Sequence, residues 1–445
     1  MLKFRKTKYL ALVLALILVA GITSGCSNGG SAKTKIPTIT FMTQETPSSP
    51  VLAAQISAYQ AFIAGVKDKY DITFDNSATG DALKSKLKIE MASGTLPDVF
   101  WYWGEAADSS ALVDSGLLLN VKDFFAKDTL KADDFNNWDS MDSKNGNYYA
   151  IPIEYNNMVW MCNKALFAQC NLQLPKTYND IIADAPIFKA HGIIPVATGS
   201  SAGNPGHTFL DMIYLQYPGA QTELSNITSK SQLDTPDLEK ALDLVVKMRS
   251  AGCFPSDTVT NGGWGPSEAL YDSGKAAMIP ALNSHLSATP ASVIANTVMI
   301  DNPTVDGGVV DMSKQALSCG LSSIEISKKS WNDPSKQAAI RAWVDFYLSP
   351  AMFQSRLNNE AYYPTLKSMK VDETVLATTI PLYKELLDFD AGKTPLNIMS
   401  HASYIPNATV WADYQADLDG VFAGTTTAAQ YLKEIQASIT ANPKS

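Results

Sequence analysis

The chain is poor in the groups that do covalent chemistry. Among 445 residues there are four histidines and five cysteines. No two cysteines form a CxxC pair, which removes the usual cysteine-based zinc sites. Cys162, Cys170, Cys253 and Cys319 are too scattered for a disulfide framework. They are expected to be buried thiols acting as small apolar side chains, although a bond between Cys162 and Cys170 is open from sequence alone. Positive charge is also short: 35 Lys and Arg face 44 Asp and Glu, so no nucleic-acid partner is expected. Repeats and low-complexity stalks are missing, which argues against a surface adhesin. Beyond the first 22 residues no run is long and apolar enough to cross a membrane.

What is present begins with a basic start (Lys3, Arg5, Lys6, Lys8) and an apolar stretch from Tyr9 to Ile22, followed by Thr23-Ser24-Gly25-Cys26. That stretch is about 14 residues where a spanning helix needs roughly 20, so a cleavable export signal (residues 1–25) is the expectation. Small residues before a lone cysteine resemble a bacterial lipobox, with Thr23 where an aliphatic residue is usual. The resemblance implies cleavage before Cys26 and lipidation of its thiol, anchoring the chain to the outer face of the cell membrane through two acyl chains. Loss of the signal leaves 31 basic against 44 acidic side chains, a net of about −13. Residues 26–35, rich in Gly, Ser, Asn and Lys, read as a flexible tether.

The remaining length exceeds what one core normally serves, so more than one domain is expected. From Ile36 strand-like runs alternate with helical ones: Ile39 to Met42, a helix through Tyr59 and Phe62, Ile72 to Phe74, then a helix near Asp81 to Ala92. Leu83, Leu87 and Met91 recur there at spacing four, one face against a core. The order predicts an α/β layer with a largely parallel sheet.

Gly94-Thr95-Leu96-Pro97-Asp98, followed by the strand Val99 to Trp103, resembles the turn and strand of family 1 extracellular solute-binding proteins, the maltose-binding-like receptors of ABC importers. Further blocks are similar in order and spacing: Tyr148 to Ile153, Asn163-Lys164-Ala165-Leu166-Phe167, Leu174-Pro175-Lys176-Thr177-Tyr178, Gly274 to Met278, Ile326 through Tyr347, and Trp411 with Gly424 and Ala428 to Ile435. The resemblance implies a two-lobed α/β fold of the periplasmic-binding-protein type II, hinged between its lobes. It also implies a monomer without cofactor or metal that hands a small-molecule ligand, most simply a mono- or oligosaccharide, to the transmembrane subunits of an ABC permease. The expected layout is residues 36–150 in lobe 1, 151–282 in lobe 2, 283–327 returning to lobe 1 and 328–445 mainly in lobe 2. Crossings are expected near Ile151 to Tyr155, near Leu282 to Ala288 and after about Ser327.

Candidate ligand contacts follow from side-chain chemistry combined with that layout. Alternation along a strand puts Trp101 and Trp103 on one face, and flat rings suit the C–H faces of a sugar; Trp103 is the preferred ring. Glu45, after the first strand, offers a carboxylate to hydroxyls. Asn156 stands where maltose-binding relatives carry a carboxylate, and an amide both donates and accepts. Asn204 and His207 lie in a stretch resembling a second-lobe binding loop. Trp264 is expected in a flexible polar loop at the cleft rim, Trp411 as a stacking ring, and Asn283 on a polar face where relatives have Gly-x-Trp.

Other readings compete. Gly199-Ser200-Ser201-Ala202-Gly203 matches the nucleophile elbow of α/β hydrolases, with Ser201 as nucleophile, but Asn204-Pro205-Gly206 follows where the helix should begin. A P-loop is excluded, because Ala269 and Ala276 occupy its essential positions near Gly274-Lys275. Asp301 to Gly307 lacks the alternating oxygen ligands of a calcium loop. A glycoside hydrolase needs two carboxylates across a cleft, which spacing alone leaves open. A receptor for a non-sugar solute is the nearest alternative.

Overall fold

The computed structural model describes residues 36–443 apart from 46–49, 104–105, 127–129, 137–142, 234–235, 399–403 and 406. The expected export signal, Cys26 and the expected tether lie outside the described residues. Residues 37–445 form one compact unit.

Among the described residues twelve strands carry the architecture: β1 (Thr38–Met42), β2 (Asp71–Asp75), β3 (Val99–Trp103), the short β4 (Ser143–Lys144) and β5 (Asn147–Tyr148), β6 (Ala150–Asn163), β7 (Ile194–Val196), β8 (Ala276–Leu282), β9 (Thr297–Ile300), β10 (Gln315–Ile326), β11 (Tyr363–Pro364) and β12 (Thr394–Asn397). The main sheet runs β2-β1-β3-β10-β6-β8-β7. The strand–helix alternation read from sequence gives parallel pairing of β1 with β2 and β3. β10 then runs antiparallel to both β3 and β6.

Two hydrophobic cores sit at the two ends of this sheet. The first gathers Phe41, Tyr59, Leu83, Val99, Trp101 and Ile151. The second gathers Trp160, Tyr178, Phe209, Met278, Trp411 and Tyr431. A satellite core covers the other face of the second half-sheet through Val159, Met161 and Ile279. β6 shows the period-two logic of a strand buried on both faces: Met158, Trp160 and Cys162 go to one core, Val159 and Met161 to the other.

β6 and β10 tie the lobes together. β6 pairs with β10 from Ala150 to Met158, with β8 from Met158 and with β9 from Trp160. β10 places Leu317 and Cys319 in the second core and Ile324 and Ile326 in the first. Midway it is broken by bulges at Cys319/Leu321 and Ser322/Ser323, with Gly320 at φ +70°. Bulges concentrate twist and bending, so the paired strands are weakest as a ladder where they pass between lobes.

The layout departs from expectation in its second half. β9, Met312 and Leu317 belong with the second core, so the chain crosses back within β10 rather than near residue 283. The helix Pro334–Tyr347, expected in lobe 2, packs Ile340, Trp343, Val344 and Tyr347 into the first core, with Trp343 and Tyr347 4.8 and 5.2 Å from the Phe41 ring. An apolar stripe reports burial but not which core buries it. Among the described residues after Tyr347, Ile398, Ile405 and the last helices, Ala408–Ala423 and Ala428–Ala441, join the second core.

Several sequence blocks prove to be helix and turn hardware. Thr177 forms a reciprocal capping box with Asp180, and Asn163 caps the helix Lys164–Gln169. Gly94 closes the helix Gly80–Ser93 at φ +67°, a conformation that glycine adopts without Cβ strain. Asp98 accepts the Thr40 N–H at 2.7 Å and pairs with Lys336 at 2.7 Å, joining β1, β3 and the helix Pro334–Tyr347. The four described cysteines are buried thiols, and burial pushes the Cys253 thiol up to about 12.

Candidate functional site

In open α/β sheets ligands collect at the carboxyl ends of the parallel strands. Here those ends are Met42 and Trp103, on the adjacent strands β1 and β3. Trp101 is 3% exposed and belongs to the first core, so it is a packing residue rather than the expected ligand contact. Trp103, one step nearer the strand end, is half-buried; it meets Trp101 edge-on at 4.6 Å and has Lys84 Nζ 4.8 Å above its ring.

Glu45 is buried, and its Oε2 has no hydrogen-bonding partner among the described residues. Burial raises its pKa, while Tyr59, Arg356 and Tyr347 oppose the rise. It belongs to a cluster that sequence reasoning missed. Glu154 lies in β6 and Glu360 at the end of the helix Pro350–Glu360, with Arg356 one turn earlier; all are at least nine-tenths buried. Burial pushes Glu154 up to about 7 against the offsetting field of Arg356. Glu360 is raised well above the usual carboxylate range by burial and then by Glu154 and Glu45, and Gln55 donates to it. The half-buried Tyr362 lies in the field of all three carboxylates and against the Ser284 hydroxyl. A signal existed: Phe353, Arg356, Leu357 and Glu360 share one helical stripe, and a charged residue on an apolar stripe needs a buried partner.

At the crossing, Asn156 is half-buried, pairs in register with Cys319 and keeps its Oδ1 unpartnered among the described residues. Asn283 does not fit the expected role of ligand contact. It is fully buried, accepts the Asn157 N–H at 2.8 Å and donates to the Ala361 carbonyl, so both ends of its amide tie the short 3-10 turn Asn283–Ser287 to the crossing segments. Behind it Asp390 accepts from Asn157 at 2.8 Å and from Tyr363 at 3.2 Å.

The second lobe brings three predicted residues together. His207 Nε2 donates to Asn204 Oδ1 at 2.8 Å, and the imidazole meets the Trp411 ring edge-on at 5.5 Å. Trp411 is 7% exposed and stacks on Tyr414 at 5.1 Å, so only an edge of the expected stacking ring is accessible. His207 is buried and serves to orient Asn204. The loop carrying them is held by Asp419, whose carboxylate accepts from Ser200 Oγ at 2.5 Å, Ala202 N at 2.8 Å and Gly203 N at 2.9 Å.

Trp264 is half-buried but lies outside any flexible loop. It is the first residue of the helix Trp264–Asp272 and packs on the second core. Gly262 and Gly199 let two loops touch backbone to backbone: a Cβ on Gly262 would fall 1.8 Å from the Thr258 carbonyl oxygen and 2.7 Å from Gly199 Cα. That contact accounts for the glycine of the elbow-like motif. Ser201 pairs by backbone with Asn204 at 2.9 and 3.1 Å, several residues before the helix Gly206–Tyr214, so the strand-to-helix elbow is not formed. Across the molecule the helix Ala408–Ala423 approaches the helix Ala106–Asp114, bringing elements of the two cores together. Among the described residues no cluster of metal ligands occurs, and Asp301 pairs with Lys393 at 2.7 Å.

Two lobes, each an α/β layer with its own core, joined by strands that pass from one to the other, define the type II, maltose-binding-like class of binding protein. The chain belongs to the bacterial extracellular solute-binding protein family, matched over residues 50–352. An uncharacterized ABC transporter extracellular-binding protein of Pyrococcus horikoshii is 24% identical over 257 residues, 54% of this chain and 57% of that protein. The chain thus spans little more than half the length of the curated relatives it matches. A solved structure from work on xylan utilization by Caldanaerobius polysaccharolyticus has a TM-score of 0.74 at 23% identity, covering 90% of this chain and all of that one. A chitin oligosaccharide binding protein has a TM-score of 0.75 at 16% identity, covering 91% and 98%.

Proposed function

We propose that this chain is the substrate-binding lipoprotein of an ABC importer, holding a mono- or oligosaccharide between its lobes and delivering it to the membrane permease. The observation that carries the reading is that the carboxyl ends of the adjacent strands β1 and β3 carry a buried carboxylate, Glu45, with an oxygen unpartnered among the described residues, and a half-buried ring, Trp103. Rings meet the C–H faces of a sugar and carboxylates accept its hydroxyls. The similarity to a chitin oligosaccharide binding protein and to a structure from xylan work supports the same ligand class.

Ligand contacts that form on both lobes only when they are closed favour closure by differential affinity. The bulged strand β10 is the element best suited to bend. Lipidation at Cys26 would keep the receptor beside its permease and raise the local concentration of the loaded form. The chemistry asked of the protein is recognition alone, and no covalent step is assigned to Ser201.

The test is a thermal-shift screen of the purified protein lacking residues 1–26 against mono- and oligosaccharides, amino acids and peptides. A saccharide should raise Tm, and Trp103→Ala should abolish the shift. A shift with amino acids or peptides and with no sugar would refute the carbohydrate assignment.

A further inference from the structure

Arg356 is 1% exposed, yet its charge is only partly answered. Nη2 donates to the Tyr347 carbonyl at 3.0 Å, and the guanidinium lies 4.1 Å from the Tyr347 ring centre. These contacts pin the group and leave Nε and Nη1 without a partner among the described residues. Glu45 Oε2 has no bonding partner of good geometry among the described residues of the same cluster, although the Tyr59 and Tyr347 hydroxyls face its carboxylate. Buried donors and a buried acceptor that stay apart, though oppositely charged, are costly unless something enters between them.

The chemistry of that guest is constrained from both sides. An anion would satisfy Arg356 but face Glu45, Glu154 and Glu360. A cation would satisfy the glutamates but face the guanidinium. A hydroxyl group accepts and donates at once, so a neutral vicinal pair of hydroxyls answers both sets. We propose that Arg356 and Glu45, backed by Glu154 and Glu360, form a blind subsite for the vicinal hydroxyls of a terminal sugar ring, an inference that rests on the carbohydrate reading above. All four side chains are at least nine-tenths buried, so a sugar reaches them only when the covering segments move aside. A longer chain would leave it past Trp103, the half-buried ring on the neighbouring strand.

Binding there is linked to protons. The groups facing the subsite are Gln55 and Tyr59 from the helix Pro50–Val66, Glu154 from β6, Tyr347 from the helix Pro334–Tyr347, and then Arg356, Glu360 and Tyr362. No lysine or histidine is among them. Burial raises the pKa of all three carboxylates, that of Glu154 to about 7. A hydroxyl donates best to an ionised carboxylate, so the ligand favours the deprotonated form and expels a proton as it binds. Affinity therefore rises with pH through about 7 and falls as pH is lowered.

The experiment is titration calorimetry at pH 6, 7 and 8 with glucose, galactose, xylose, maltose, xylobiose and diacetylchitobiose. The best binder is compared with its derivative O-methylated at the vicinal hydroxyls of the terminal ring. Methylation should weaken binding by about tenfold or more, the loss expected for hydrogen bonds to charged groups. Glu45→Gln and Glu154→Gln keep the side-chain size but hold the group neutral. Each should weaken binding, and Glu154→Gln should flatten the pH dependence. If methylated and free sugars bind alike, or both variants bind as the parent does at every pH, the subsite is refuted while sugar binding stands. If no saccharide binds, both readings fall.

Discussion

In the first lobe Glu45, Glu154, Glu360 and Arg356 are buried, and atoms of Glu45 and Arg356 have no partner among the described residues. In the second lobe Asp419 is answered three times over by Ser200, Ala202 and Gly203, and Asn204 is bonded to His207. One region stores unmet hydrogen-bonding capacity at the foot of a sheet; the other spends its capacity on holding a loop still. A binding protein needs both, since specificity comes from groups that only the ligand satisfies and low ordering cost comes from a wall that does not move. The difference also predicts how each region fails. Charge removal should dominate in the first lobe, and loss of packing or of loop geometry in the second.

The largest effect is expected from Arg356→Leu. Removing the guanidinium leaves three buried carboxylates without their compensating charge, a loss of about 3–5 kcal/mol of stability. Because protonation relieves the carboxylates, the loss in denaturant midpoint should be greater at pH 8 than at pH 5. An equal loss at both pH values would mean that Arg356 matters only by packing.

Next comes Trp411→Ala, about 3 kcal/mol or more, because the ring is buried against Tyr414 and His207. Ligand affinity after this change must be read at a temperature where the variant is still folded. Asp419→Ala should cost about 2 kcal/mol, since three donors lose one acceptor. It should also lower ligand affinity by freeing the loop of Asn204, with Asp419→Asn intermediate. If Asp419→Ala binds ligand normally, that loop is not part of the binding wall.

A smaller effect separates the lobes by pH. Burial raises Glu154 to about 7, so the protonated form is the one favoured by the fold. Its stabilising contribution is present below the ordinary glutamate range and is lost as pH rises through about 7. The unliganded protein should therefore lose Tm between pH 5 and pH 8. His285, buried between Asp272 and Glu268, has its pKa raised by these two acids against the opposing effect of burial, and so acts in the same direction. Glu154→Gln should remove only the first part. An unchanged pH profile in that variant would assign the effect to groups other than Glu154, with His285, Glu45 and Glu360 next in line.

Much of this architecture was legible because it rests on local rules. The strand–helix alternation to residue 103, the capping signals at Asn163 and Thr177 and the aromatic run at the end of β3 all declare themselves within a few residues. The charged cluster did not, because it joins residues about 300 positions apart, as in the contact between Gln55 and Glu360. Asn283 misled for a related reason: an amide near a cleft and an amide tying two crossing segments look the same until the Ala361 carbonyl is placed beside it. Glycines around Trp264 suggest a loop, whereas Gly262 serves a backbone contact, Gly263 is the N-cap and the helix starts at the ring itself.

Trp103→Ala should perturb the fold least and so gives the sharpest test of the contrast between regions. The ring is half-buried, and its neighbours include Trp101, Tyr102 and the ammonium of the half-buried Lys84. Only part of its area leaves water on folding, so stability should fall by about 1 kcal/mol, far less than for Trp411→Ala. Ligand affinity should follow the opposite order, with Trp103→Ala losing at least as much as Trp411→Ala. Reversal of that order, with binding surviving at Trp103 and lost at Trp411 in a folded variant, would move the sugar-stacking surface from the first lobe to the second. The floor built on Arg356 would then face a ligand anchored chiefly by the other wall.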